Sequence, residues 1–291
     1  MAIDAIHLHE PNAEVFEAFG KDEVWSGKPF WMLNTFAYHS GEQAANAQRE
    51  YGQCMASILE DVGARVIMHA PAARTVIGPR QWVASAIVEY PSPESFLAMA
   101  TSPALAAASK FRRIAFADQF LIPIAAGWMP GFDLDKTVHA RSPINQWGSA
   151  DIRNTPNAFV GKHHTQASTD SAEAFVSDND FAGNKPVWML NLLKYASDGG
   201  KRCHDAYVAG GGNDFPGGSL GRQFGLRVVY SARRTFESLI GATDWDTVAI
   251  VSYPSRNHFL TMGGNEHYLE IHEGRKAGLS ETYIIALRPE R

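Results

Sequence analysis

The sequence predicts an α+β chain made of two diverged copies of one strand-helix-strand-strand-helix-strand unit in tandem. Two observations carry that prediction. The first is self-similarity: KPFWMLN at Lys28–Asn34 returns as KPVWMLN at Lys185–Asn191, differing at one position. The second is that the likeness continues in order, through ARVIMHA (64–70) and LRVVYSA (226–232), then through Ile77-Gly78 and Ile240-Gly241. It runs on through WVASAIVEYPSPESFLAM (82–99) and WDTVAIVSYPSRNHFLTM (245–262), with no gap from Gly78 against Gly241 to Ile124 against Leu287. An ordered series of this kind marks an internal repeat rather than chance.

Each element follows from its period. EAF at Glu17 and again at Glu173 marks a short helix before the first strand of each copy. WMLNTFAY and WMLNLLKY are apolar, β-rich runs and read as that first strand. QAANAQREYGQCMASILEDVG has apolar residues at three-to-four spacing and a closing glycine, the signature of a helix with a glycine C-cap. RVIMHA and WVASAIVEY are strands, PESFLAMA through ALAAASKFRRIAF is helical, and QFLIPI is a final strand. The order defines a ferredoxin-like βαββαβ unit, an antiparallel sheet with helices on one face. Two such sheets would cover each other's bare faces and close an intramolecular dimeric-type α+β barrel around a small-molecule cavity. The expected organisation is a first unit over 1–124 with its N-terminal helix, a Gly-, Pro-, Asn- and His-rich connection over 125–171, and a second unit with its preceding helix over 172–291. In the second copy the first helix is interrupted by GGGNDFPGG at Gly210–Gly218, because glycine and proline cannot continue it. With no G-x-G-x-x-G or Gly-Lys-Ser/Thr frame, an ordinary loop or lid is expected there rather than a phosphate cradle.

Bulk properties exclude some partners. With 45% hydrophobic and 20% charged residues and a formal net charge of −5, the chain is a globular composition without a basic stripe, so nucleic acid is not expected. No run approaches the roughly 20 apolar residues of a membrane span, and the N-terminus lacks a signal-peptide pattern, so a cytoplasmic location is the default. The two cysteines, Cys54 and Cys203, show no Cys-x-x-Cys spacing and read as reduced thiols.

The runs VWMLNLLKY, DAYVAGG, ESLIG, WDTVAIVSYPSRNHFLTM and EIHEGRKAGL resemble the dimeric α+β barrel superfamily, and within it the family called domain of unknown function one-three-three-zero. The resemblance is strong over Lys185–Leu287 and more drifted over Lys28–Ile124. It implies the fold and transfers no chemistry. The first copy departs from the pattern at Val83, against Asp246, and at Pro93, against Arg256.

Strand alternation nominates the cavity lining. Asn34 and Tyr38 share a face of the first strand, matched by Asn191 and Tyr195. Arg65, Ile67 and His69 share a face of the second, matched by Arg227, Val229 and Ser231. Ser85, Ile87 and Glu89 share a face of the third, matched by Val248, Ile250 and Ser252. The first half therefore offers His69 and Glu89 where the second offers two serines. If Asn34, His69 and Glu89 meet on one face, the histidine and carboxylate could exchange protons with a substrate while Asn34 steadies a developing oxyanion. The alternative is that Glu89 is solvated near Tyr90-Pro91 and His69 caps a hairpin. Arg65, Arg112, Arg227 and Arg275 are duplicated, as are Asn34 and Asn191, and duplication favours a shared structural role.

In the last helix of the second copy, His267 and His272 lie five apart. They therefore point to different helix faces, which argues against a shared metal. Either could bind substrate or serve as axial ligand to a haem, since haem enzymes occur in the superfamily that this chain resembles. No Cys-x-x-Cys-His motif is present, and haem is the alternative cofactor reading. His163-His164 in the connection are a candidate flap over the cavity.

The resulting expectation is a cofactor-independent acid-base enzyme of isomerase, lyase or cyclase type. His69, Glu89 and Asn34 would be catalytic, while Tyr38, Arg65, Asn191, Tyr195, Arg227, His267 and His272 would contact the substrate. No metal, nucleic acid or membrane partner is expected, and homodimerisation is left open. The competing expectation is a small-molecule binding or haem protein.

Overall fold

The computed structural model describes residues 11–127, 175, 185–197, 199–210, 219–241, 244–263 and 265–288. The predicted connection beyond residue 127, with His163 and His164, and the glycine-rich stretch 211–218 lie outside the described residues. Contacts divide the chain into two units that are not simply the two contiguous copies. Unit 1 comprises Met1–Ala70, Trp82–Gly127 and Ala232–Trp245, and unit 2 comprises Pro71–Gln81, Trp128–Ser231 and Asp246–Arg291.

Unit 1 is built from α1 (Ala13–Lys21), β1 (Phe30–Tyr38), α2 (Glu42–Asp61), the first part of β2 (Arg65–Ile77), β3 (Ala84–Tyr90), α3 (Pro93–Ala100), α4 (Pro103–Ala115) and β4 (Phe116–Ala125). Its strand order, β4-β1-β3-β2, is that of the ferredoxin-like unit. The local chemistry explains the boundaries. The Asn12 side chain accepts from Val15 N at the start of α1, and α2 ends where Gly63, at φ 68°, sends its N–H back to Glu60 O. The helical stretch after β3 is two helices rather than one. Ser102 caps α4 by accepting from Leu105 N, and Pro103 at the first turn disfavours helical backbone in the residue before it.

One face of the sheet packs on the helices through Phe16, Phe19, Phe30 and Phe96, each at most 1% exposed. Their rings meet one another at centroid distances of 5.1 to 6.4 Å. At about 1.5–3 kcal/mol for each fully buried side chain of this size, this cluster is a major anchor of the unit.

Unit 2 contains β5 (Val187–Tyr195), α5 (Gly200–Gly210), α6 (Ser219–Phe224), β6 (Arg227–Ser231), β7 (Thr247–Tyr253), α7 (Arg256–Gly263), α8 (Glu266–Gly278) and β8 (Leu279–Leu287). Its own strands run β8-β5-β7-β6, the same permutation. The residues expected to interrupt the first helix, 211–218, lie outside the described residues; α5 is described up to Gly210 and α6 from Ser219.

Each unit also takes in an arm from the other repeat. In unit 2, Ala72 to Ile77 of β2 pair with β8, Ala72 opposite Leu287. In unit 1, residues 232–245 run along β4, where Leu121 N donates to Ile240 O at 3.0 Å and Ala125 N to Arg234 O at 2.9 Å. The repeated Ile-Gly finds its reason here. Gly78 and Gly241 have φ of 134° and 114°, and a Cβ at either would overlap an aromatic ring, Tyr283 for Gly78 and Phe120 for Gly241. These two rings are themselves equivalent positions of the repeat. The fold is thus α+β, with two ferredoxin-like units and eight strands among the described residues, as the sequence predicts.

Candidate functional site

Unit 1 contains a cavity of about 360 Å³ between its sheet and its helices. The sheet supplies Asn34, Phe36 and Tyr38 from β1, Val66 and His69 from β2, Ala86, Val88 and Tyr90 from β3, and Phe116, Gln119 and Leu121 from β4. The helices supply Gln48, Tyr51, Gly52, Met55, Ala56 and Leu59 from α2, Phe96 and Met99 from α3, and Arg112 from α4. The walls are mainly aromatic and aliphatic, with polar groups gathered at one end. Such a surface suits a largely apolar small molecule with one polar group.

The polar end is a hydrogen-bonded chain. Asn34 Nδ2 donates to Met32 O at 3.0 Å, which fixes the amide; Asn34 Oδ1 accepts from Gln119 Nε2 at 3.3 Å; and Gln119 Oε1 accepts from Arg112 Nη2. Arg112 also has a side-chain hydrogen bond with Tyr51, and its guanidinium carbon lies 5.7 Å from the centre of the Phe116 ring. Arg112 is 2% exposed, and burial pulls its pKa below the ordinary arginine value while the Tyr51 hydroxyl opposes that. The guanidinium nevertheless stays charged. Burial pushes Tyr38 up to about 12, against a hydrogen bond with Gln48, and raises Tyr90 further, so both phenols stay protonated. His69 is exposed and borders the cavity from β2.

The sequence-derived triple of Asn34, His69 and Glu89 does not assemble. In the β1–β3 register Asn34 lies opposite Ala86 and Trp31 lies opposite Glu89. Directly opposed residues share a face, so Asn34 belongs with Ala86, Val88 and Tyr90 toward the helices, and Glu89 belongs with Trp31 on the other face. There Glu89 Oε2 accepts from Trp31 Nε1 at 2.9 Å and Oε1 accepts from Arg65 Nε at 2.8 Å. Burial raises the Glu89 pKa, but the bonds from Trp31 and Arg65 and the Arg65 charge outweigh it, and the carboxylate sits below its ordinary value. Glu89 is therefore a held anion away from the cavity, and Arg65 is its partner rather than a cavity residue.

In unit 2 the nominated residues are engaged in structure. Asn191 Nδ2 donates to Met189 O at 2.9 Å, the same bond as Asn34, and the Tyr195 hydroxyl lies 2.9 Å from Thr247 Oγ1. Arg227 is exposed. His267 is exposed, with Nε2 3.1 Å from Gly210 O. His272 is 1% exposed, and its Nδ1 lies 3.0 Å from the Tyr268 hydroxyl. Its ring stands edge-on to Tyr207 at 6.2 Å, so neither histidine of α8 borders the cavity. The departures of the first copy at Val83 and Pro93 also have structural counterparts. Asp246 Oδ2 accepts from Tyr195 N at 2.7 Å, and Arg256 Nη1 donates to Phe175 O at 2.9 Å.

Sequence reading passed over Arg112, Gln119 and Tyr51 as site residues, treating Arg112 as structural because Arg275 repeats it. The signal that distinguishes them lies beside them: Gln119 is Thr282 in the second copy, and Leu105 and Ser109 are Tyr268 and His272.

By strand order and helix placement the units are ferredoxin-like, the class on which dimeric α+β proteins are built. Residues 36–123 match the family model of DUF1330, a domain of unknown function; this stretch lies in the first copy, whereas the sequence resemblance is read as stronger in the second. A protein of unknown function from Rhodopseudomonas palustris is 28% identical over 41% of this chain and 96% of its own, with a TM-score of 0.37. An anthrone oxidase-like protein is 11% identical over 91% of this chain and 92% of its own, with a TM-score of 0.46. A chlorite dismutase variant from Candidatus Nitrospira defluvii is 9% identical over 91% and 92%, with a TM-score of 0.42. No curated protein matches the chain. At these identities and scores the likenesses say nothing of activity. Among the described residues, no helix is long and apolar enough to cross a membrane.

Proposed function

We propose that the cavity of unit 1 is the active site of an enzyme that moves a proton on a small, mainly apolar, carbonyl-bearing molecule without a bound cofactor. The observation that supports this is the cavity's composition: aromatic and aliphatic walls, a fixed amide at Asn34 inside, and an exposed imidazole at His69 on the rim. An imidazole can both accept and donate a proton through its ring nitrogens, which suits it to general acid-base work. The second hydrogen of the Asn34 amide would donate to the oxygen on which charge develops. Glu89 has no part in this reading, because it lies on the other face of the sheet. Whether the reaction ends as an isomerisation, an elimination or a cyclisation depends on the substrate.

Deuterium uptake from heavy water at the position next to the carbonyl, followed by NMR across a panel of small aryl and alkyl ketones, β-keto esters and keto acids, tests the proposal directly. Catalysed exchange is expected for at least one class, falling about 100-fold or more in His69→Ala and remaining near normal in Glu89→Gln. Gly52→Phe supplies the control. Gly52 lines the cavity from α2 and a Cβ there meets nothing within 4 Å, so a large side chain at this position is expected to obstruct the cavity. Exchange that survives Gly52→Phe and His69→Ala unchanged, or no exchange across the panel, would overturn the reading.

A further inference from the structure

Arg112 sets the class of ligand, and this inference rests on the reading of the unit 1 cavity as a ligand site. The guanidinium is buried, lines the cavity, and is bonded to two neutral groups, the Gln119 amide oxygen and the Tyr51 hydroxyl. No carboxylate touches it among the described residues, and none of the residues lining the cavity is Asp or Glu. A buried cation of this kind has lost most of its hydration. It is strongly unfavourable unless an opposite charge is brought to it. Glu89, on the other face of the sheet, is held by Arg65 and Trp31. Five guanidinium N–H groups exceed the two acceptors present, so donors remain for a further acceptor.

We infer that the cavity takes a small organic monoanion, a monocarboxylate in its simplest form, whose charged end docks on Arg112 and whose apolar body lies against Phe36, Met55, Val88 and Phe96. The planar fork of the guanidinium matches the two oxygens of a carboxylate. Gln119 and Asn34 hold the fork in place from behind. The equivalent arginine of the second copy, Arg275, has Thr282 rather than a glutamine as its hydrogen-bond acceptor.

Calorimetric titration of the full chain tests this with matched series: phenyl- and alkyl-carboxylates of four to ten carbons, their neutral primary amides, and the corresponding amines. The acids are expected to bind at least ten-fold more tightly than their amides, and the amines not at all. In Arg112→Gln the acid preference should vanish while amide affinity persists, and Arg112→Lys should retain part of it. Gly52→Phe should abolish binding of every member. Equal binding of acids and amides in the native chain, with both blocked by Gly52→Phe, would sink the anion assignment and leave the cavity reading standing. Ligands that bind regardless of Gly52→Phe, or a series in which nothing binds, would sink both. Thermal unfolding of the ligand-free variants separates a structural role. If Arg112→Gln loses stability yet keeps the acid preference, the arginine serves the fold alone, and the inference is overturned.

Discussion

The same layer of the two units, between sheet and helices, holds an open cavity in one and a stack of rings in the other. In unit 1, α4 buries Leu105, Ser109 and Arg112, and Arg112 lines the cavity. In unit 2, α8 presents Tyr268, His272 and Arg275 at the aligned places. Tyr268 and His272 meet at 5.1 Å, Tyr207 and Tyr268 at 6.3 Å, and His204 joins through Tyr207 at 5.7 Å and Tyr195 at 5.4 Å. The arginine is common to both, but its surroundings are not. The lesson is that a duplicated frame can keep a charged residue in both halves while its surroundings differ, a cavity lining in one and a cluster of rings in the other.

The contrast is broken most sharply by giving unit 2 the first copy's residues. Tyr268→Leu with His272→Ser removes two buried rings that satisfy each other, and a loss of about 3 to 5 kcal/mol is expected in urea unfolding. A variant that stays within 1 kcal/mol of the native chain would show that the rings are not what fills this layer.

A second comparison asks whether the two arms are equivalent devices. Gly78→Ala and Gly241→Ala each force a side chain into positive φ and into an aromatic ring, so each should cost roughly 2 to 4 kcal/mol, measured the same way. A large cost at one and none at the other would mean that only one repeat uses its glycine to seat the arm.

The smallest effect concerns acid. Burial, helped by the Arg275 charge, pushes His204 down to about 4 from 6.5, whereas α2 of unit 1 contains no histidine. A histidine whose folded pKa lies below its unfolded one is protonated first in the unfolded chain. The stability it protects is therefore whole above about pH 6.5 and drains as pH falls toward 4. A drop on the order of 1 to 3 kcal/mol across that window is expected, with a flatter profile in His204→Asn. An unchanged slope in that variant would assign the acid sensitivity elsewhere, His258 being the next group, itself pushed down to about 4 by burial.

Much of the site was legible as residues but not as a site. Strand alternation nominates Asn34, Tyr38 and His69 for the sheet face away from the helices, and all three instead border a cavity on the helix-covered side of the unit 1 sheet. Glu89 was nominated by the same rule and does not. Alternation tells which residues of one strand share a face, but it is silent on how two strands are paired. A shift of one residue in the β1–β3 register exchanges the partners of Asn34 from Glu89's set to Ala86's. Arg112 was discounted because it is duplicated, and only the contents of the surrounding layer show how differently the two copies use it.

The order of hydrophobic runs, their repetition, and the glycine and proline punctuation determined two βαββαβ units by themselves, because period and backbone preference act over a few residues. Tertiary structure alone decided which face of each strand meets the helices, which unit receives each arm, and where space is left unfilled. Those depend on register and on the summed volume of side chains from distant segments, and no local stretch of sequence carries either.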